Sequence, residues 1–402
     1  MKSGNSNILT INGGSSSIKF ALYSMDEKPG KFIAGHIKRI GLDDPEFTVI
    51  NNISNENNEI ALDATSFKET AEVLIEWLKK QKYFVQVKCV GHRIVHGMSH
   101  THPEIIDDIL LKELNKISEY DPDHLPAEIE IIQLFKKQFP SLVQVACFDT
   151  SFHATLPRVA KMFPIPRRFD KAGIRRYGFH GLSYTYLLEV LGNMEGADKS
   201  NGRIILAHLG NGASLAAIKD GISIDTSMGF TPAGGLVMGT RPGDLDPGVA
   251  WYMMQSEQLT AKQFNQLINH EAGLLGVSEL SSDMEDLLQK ENSDVRVAEA
   301  VALFCYQVKK WIGSFAAVLN GLDTLVFSGG IGENAPLIRS RICKEFDYLN
   351  IEIDEKENNK NATVISTRKS KVKVYVIPAD EEIIIAKSTR ELFIKTQNKK
   401  NI

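Results

Sequence analysis

Four polar side chains, each beside a glycine-rich turn or at the end of an apolar run, offer chemistry in this 402-residue chain. Arg93 stands in "GHRIVHGMSHTH", directly after the apolar "VKCV". Asp149 stands in "CFDTSFHATLP", one residue past an apolar run that ends at Phe148. His180 lies in "RRYGFHGLSY", and Arg241 in the glycine- and proline-rich "GFTPAGGLVMGTRPGDLDPG". Such a long irregular segment that keeps an arginine points to function. Two arginines and a histidine suit an oxyanion, because the guanidinium fork bonds carboxylate or phosphoryl oxygens in pairs. Each arginine taken alone equally suits a surface salt bridge. Asp149 occupies the C-terminal end of a strand, where open α/β sheets bind ligands. It binds a metal, orients a nucleophile, or caps a helix or turn.

Three glycine loops follow apolar runs: "NGGSSSIK" at 12–19, "HLGNGAS" at 208–214 and "SGGIGENAP" at 328–336. Glycine lets backbone N–H groups approach an anion with no Cβ in the way, and hydroxyls and a lysine add donors. The first loop read alone is a plain hairpin turn; the three together point to a nucleotide site. The third is expected to open a helix, with Asn334 near its cap and Pro336 in its first turn. No G-x-x-x-x-G-K-[ST], G-x-G-x-x-G or G-x-S-x-G sequence occurs, which argues against a Walker loop, a Rossmann fingerprint and a serine-hydrolase elbow. His92 and His96 have metal-like spacing only if helical, and the following glycine-flanked sequence speaks against a zinc site.

These residues need a scaffold, and the apolar pattern supplies one. Strands are expected at 8–11, 18–23, 85–90, 142–148, 203–209, 214–219, 324–328 and 373–377. Their near-continuous apolar character suits strands covered on both faces. Helical spacing marks 66–80, 127–138, 261–270 and 293–319, so the fold class is α/β. A faint repeat links the two ends: strand, glycine loop, strand and third strand near residue 8 and again from 203. The polar stretches 51–59 and 355–361 read as surface loops, and the basic tail 395–402 as frayed. Length predicts two domains, 1–150 rejoined by 386–402, and 151–385. The net charge of −4 gives no reason to expect nucleic acid. No run approaches a membrane span, the start has no leader pattern, and four scattered cysteines read as buried thiols, so a cytoplasmic protein is expected.

The chain also resembles the acetate kinase (acetokinase) family. The resemblance rests on "NGGSSSIKF", "GHRIVHG", "CFDTSFH", "RRYGFHG", "HLGNGAS", "DTSMGFTP", "MGTRPGDLDPG", "GGIGEN" and "ADEEIIIA", in family order. It implies two ribonuclease H-like domains around a nucleotide cleft, as in the acetate and sugar kinase, heat-shock chaperone and actin superfamily. It implies Mg²⁺-dependent phosphoryl transfer from ATP to acetate, with Mn²⁺ able to substitute, in a homodimer with no nucleic-acid or membrane partner. A propionate or other short-chain carboxylate kinase is the alternative.

By this resemblance Ser15, Ser17 and Lys19 belong to the first phosphate loop, and His208, Leu209, Gly210, Asn211 and Gly212 to the second. Asp283, Met284, Glu285, Gly330, Ile331, Gly332, Glu333 and Asn334 surround the adenosine. Arg93, Val95, Phe179 and Pro232 meet the acyl substrate. Asp149, His180 and Arg241 are catalytic, and Asn12 and Glu381 serve the metal, with Glu382 the competing neighbour. Four departures stand out: Gly13, Asp123 in "YDPDHLP", Glu285 in "SSDMEDL", and "TPAGGL". A buried acid against a methyl group is costly, so Asp123 is expected to face solvent, a basic partner or a more polar acyl group.

Overall fold

The computed structural model describes residues 6–14, 17–41, 44–195 and 202–400. They form two compact units, one through Ser151 and again from Asp380, the other Phe152–Ala379. The chain therefore returns to the first unit six residues before the 386 boundary read from sequence, which places Glu381 there.

In the first unit the strands are β1 (Asn7–Gly14), β2 (Ser17–Ser24), β3 (Lys31–Lys38), β4 (Glu46–Asn51), β5 (Glu56–Ile60), β6 (Val87–Ile94), β7 (Glu104–Ile105) and β8 (Val143–Phe148). They form one sheet in the order β5-β4-β3-β2-β1-β6-β8-β7. Side chains alternate across it, as pleating requires. Leu9, Ile11, Phe20 and Leu22 pack under the helices Phe67–Lys79 and Leu125–Gln138. Ile8, Ala21 and Tyr23 face the opposite way, toward Ala386 of the helix Glu381–Lys400. Ser66 caps the first of these helices by accepting from Glu69 N. A Cβ on Gly91 would lie 2.1 Å from Thr389 Oγ1, so the last helix can rest on β6 only over a glycine.

The second unit holds β9 (Arg203–Leu209), β10 (Ala213–Lys219), β11 (Ile222–Thr226), β12 (Thr324–Ser328) and β13 (Lys373–Val376). Its order is β11-β10-β9-β12-β13. The first three pair antiparallel and β9, β12 and β13 pair parallel. The strands β3-β2-β1-β6-β8 repeat this pattern of order and direction. The faint sequence repeat is thus a repeat of topology. The long helix Val295–Leu319 runs unbroken through Gly313.

Three local expectations fail. Residues 51–59 are not a loop: β4 and β5 form a hairpin at the sheet edge, where polar side chains remain solvated. Within 355–361 the helix Glu355–Asn359 buries Asn358 completely. The tail stays helical to Lys400, supported by an i,i+4 pair of Lys395 with Glu391. The third glycine loop does lead into a helix, Pro336–Cys343, with Pro336 in its first turn as expected and Ala335, next to Asn334, at its cap; the loop residues Gly329–Asn334 form a short helix of their own. Among the described residues no helix is long and apolar enough to cross a membrane.

Candidate functional site

In the first unit the parallel strands β1, β6 and β8 release their C-terminal ends side by side. Asn12 lies at the end of β1 and pairs with Lys19 across the hairpin. Arg93 lies at the end of β6 and Asp149 directly after β8. Arg93 Nη2 donates to Asp149 Oδ2 at 2.8 Å, and Asp149 is wholly buried. Arg93 Nη1 reaches Asn12 Oδ1 at 3.4 Å, and Asn12 Nδ2 donates to Glu381 Oε2 at 2.9 Å. Glu381 Oε2 stands 4.0 Å from Arg93 Nε, and that buried Nε has no hydrogen-bond partner. Burial acts to lower the Arg93 pKa, but Asp149, Glu381 and Glu128 outweigh it and keep the guanidinium charged.

Of the two neighbouring glutamates, Glu381 is the one turned to Asn12 and Arg93. Glu382 lines a separate cavity of about 190 Å³ with Lys19 and His36. Burial, with repulsion from Glu381, raises the Glu382 pKa. Ser17 opens β2 and Lys19 is an exposed residue on it; Ser15 lies outside the described residues. Val95 follows β6 and is buried. Its N–H is held by both oxygens of Glu128, at 3.2 and 3.1 Å. Asp123 is half-exposed, while its neighbour Asp121 is buried and hydrogen-bonded to His124 Nδ1 at 2.8 Å. His92 is buried against Gln144, 2.7 Å from its Oε1, and sits on a strand, so the helical metal spacing does not arise.

In the second unit His180 follows Gly178 and has φ of +59°. Its Nδ1 is hydrogen-bonded to Ser214 Oγ at 2.8 Å, which fixes the ring. The His208 ring stacks on it at 4.3 Å and is itself tied through Nδ1 to Ser183 Oγ at 2.9 Å. Arg241 Nη1 donates to the Pro232 carbonyl at 2.7 Å. A Cβ on Gly212 would meet Arg241 Nη2 at 2.9 Å and His180 Nε2 at 3.3 Å. His180 and Arg241 therefore converge on the bare backbone of the second glycine loop. Phe179 is buried, with its carbonyl 3.2 Å from His153 Nε2.

Gly210, Asn211, Asp283, Met284, Glu285, Gly330, Ile331 and Asn334 line one cavity of about 820 Å³ in this unit. Leu209 and Gly332 are buried in the fold instead. Glu333 Oε1 accepts from Gly329 N and Ala379 N, both at 2.9 Å, so its carboxylate braces the loop.

The profile of the acetokinase family matches residues 7–387. The chain belongs to the acetokinase family. An acetate kinase of Halothermothrix orenii is 40% identical over 395 residues, covering 96% of this chain and 99% of that one. The crystal structure of Porphyromonas gingivalis acetate kinase matches at TM-score 0.85 and 36% identity, over 96% of this chain and 100% of that one. A propionate kinase from Francisella tularensis matches at TM-score 0.89 and 35% identity, over 96% and 99%. The two-sheet α/β fold is that of these acetokinase-family structures.

Residues that the sequence reading missed include Glu128, Ser183, Ser214, Leu288 and Gln289. Glu128 had a legible signal, an acid on the apolar face that also carries Leu125, Ile129 and Ile132. The two serines had none, because their value lies in which histidine they touch.

Proposed function

We propose that the protein is an acetate kinase, transferring the γ-phosphoryl group of ATP reversibly to acetate to give acetyl phosphate and ADP. The observation that carries the reading is Arg93, a charged and largely buried guanidinium whose Nε has no hydrogen-bond partner. That donor suits a carboxylate oxygen. A carboxylate is already nucleophilic at neutral pH, so no base is required. One acetate oxygen forms a bond to Pγ while the bond to the bridging oxygen breaks, and ADP leaves with that electron pair. Arg93 holds and aligns the carboxylate; Arg241 and His180 Nε2 meet the charge on the phosphoryl oxygens. Alignment and charge neutralisation are what such in-line transfer needs.

The donor set fits Mg²⁺, since Asp149 and Glu381 bring hard oxygens to one locus beside Arg93 and Asn12. Among the described residues no three His, Cys, Asp or Glu side chains cluster as a metal site, so phosphate oxygens and water must complete the shell. Mg²⁺, or Mn²⁺ in its place, would neutralise charge on the phosphates. That a propionate kinase is among the proteins of this fold at 35% identity is the ground for propionate as a second acceptor. We further infer a homodimer, from the family resemblance, and a cytoplasmic setting, which four buried free thiols suit.

The test is hydroxylamine trapping with ATP, Mg²⁺ and acetate, propionate or butyrate. Hydroxamate from acetate is the expected result. None from any of the three acids overturns the reading.

A further inference from the structure

The backbone that follows Arg93 out of β6 is pinned step by step. Pairing of β6 with β1 stops at His92, and with β8 at Ile94. Asp149 N donates to Ile94 O at 2.9 Å, and Gly97 N to Thr150 Oγ1 at 3.2 Å. Between these two points the buried Val95 N–H lies past both ladders, where a donor without a partner is costly. Glu128 takes it with both carboxyl oxygens, at 3.2 and 3.1 Å. A carboxyl is a costly choice of acceptor at this place. Glu128 is fully buried on the helix Leu125–Gln138, whose Leu125, Ile129 and Ile132 cluster with Ile94 and Phe148. A leucine would enter such surroundings at lower cost. Glu128 also stands within electrostatic range of the Arg93 guanidinium.

We propose that Glu128 is a positioning residue for the acyl acceptor: by holding the Val95 N–H it fixes Val95 and Arg93 at the spacing that one short acid requires. The inference rests on the carboxylate-kinase reading above. Side chains two residues apart in extended chain stand on the same side, so Arg93 and Val95 address one ligand. The carboxylate end meets Arg93 and the alkyl end meets Val95. Without Glu128 the Val95 N–H turns toward another acceptor, the exit of β6 relaxes, and the two ends of the acid lose their common seat. A misplacement of about 1 Å is enough to cost on the order of 10²-fold in a transfer that depends on alignment. The 820 Å³ cavity has none of these residues in its lining, so nucleotide binding is spared.

The test measures KM for acetate and for ATP in the hydroxamate assay on three variants. Glu128→Leu removes the acceptor and fills the space, Glu128→Asp draws the carboxyl back by one methylene, and Glu128→Gln keeps an acceptor in place. In Glu128→Leu and Glu128→Asp the acetate KM is expected to rise about tenfold, with the ATP KM within about twofold of the parent. Glu128→Gln should stay within about twofold of the parent for both substrates. A residue that only supports the fold would not split the two KM values. Should Glu128→Leu fail to fold, Glu128→Asp decides by the same split. Equal rises in both KM values, an unchanged acetate KM, or a glutamine variant as impaired as the others overturns the proposal and leaves the kinase reading standing. If the parent yields no hydroxamate from any acid, the kinase reading falls and acetate binding by saturation-transfer NMR decides instead. Binding weaker in Glu128→Asp than in the parent supports the role, and equal binding, or none in the parent, refutes it.

Discussion

Arg93 Nη2 and Asp149 Oδ2 meet at 2.8 Å with the acid wholly buried and the arginine side chain 15% exposed. The asymmetry matters. Asp149 meets this cation in full burial, whereas Arg93 stays partly exposed and its Nε, 4.0 Å from Glu381 Oε2, has no hydrogen-bond partner. One side chain thus does two jobs: it stabilises the end of β8 and presents a donor for a carboxylate.

Arg93→Ala should therefore lose stability as well as activity. Removing one partner of a buried ion pair costs about 3–5 kcal/mol, because the other charge stays buried and uncompensated. Arg93→Lys keeps the charge but not the fork, so its thermal midpoint should stay near the parent while turnover falls on the order of 10²-fold or more. Thermal melts and hydroxamate rates on both variants check this. Equal activity in Arg93→Lys would count against the fork.

At the second glycine loop the expected loss is catalytic alone. Arg241→Ala should abolish turnover and leave the fold intact, since the side chain is half-exposed and its Nη1 is held by a loop carbonyl, that of Pro232. Gly212→Ala tests the same point from the other side. Its new Cβ would push on the end of the Arg241 side chain, 2.9 Å away, and crowd His180 Nε2 at 3.3 Å, displacing the guanidinium. A fall in kcat of about tenfold or more with an unchanged melting curve is expected.

Much of this arrangement is legible in the sequence, for a physical reason. Strand ends and glycine loops announce themselves through apolar runs and missing side chains, so Asn12, Arg93, Asp149 and the loop at 208–212 could be found by position. The repeated hairpin was visible because both copies need the same turn chemistry. What stayed hidden depends on partners distant in sequence. Ser214 matters only because it touches His180, 34 residues away. The polar run 355–361 looked solvated because nothing in it shows that Asn358 will meet a buried arginine. The choice between Glu381 and Glu382 turned on helix phase, which the sequence "DEEIII" leaves open.

Glu128 gives the fold a pH dependence. Burial pushes its carboxyl well above the usual 4.5, with Arg93 pulling it down and Asp121 pushing it up. Between 4.5 and that raised value the folded chain keeps a proton that the unfolded chain releases. Stability is therefore fully present below the unfolded pKa and declines as pH rises toward the folded one. Glu128→Gln retains an acceptor for Val95 N–H without the titration. It should match the parent near pH 4 and become the more stable of the two as pH rises through neutrality. Melting temperatures of both proteins across this range test the sign; a parent that gains on the variant with rising pH would refute it.

Arg339 couples the nucleotide cavity to the rest of the second unit. It is fully buried and has no carboxylate among its hydrogen-bond partners. Its guanidinium donates to the Gly332 and Glu333 carbonyls at 2.8 and 3.0 Å, to Asn358 Oδ1 and O at 2.7 and 2.8 Å, and to Asn361 Oδ1 at 2.6 Å. Burial pulls its pKa down to about 10, still high enough to keep it charged at neutral pH. The Gly332 and Glu333 carbonyls belong to the helix Gly329–Asn334, which brings Gly330, Ile331 and Asn334 to the cavity. Arg339→Ala would leave these acceptors buried with no donor, at about 1–3 kcal/mol for each left unsatisfied. The variant should be markedly destabilised, and its KM for nucleotide should rise more than its KM for the acid. Asn358→Ala, which removes one of the five acceptors, should show the same selective effect in smaller measure. Urea unfolding and the two KM values separate this role from a purely structural one: equal rises in both KM values would mean that Arg339 supports the fold without positioning the nucleotide.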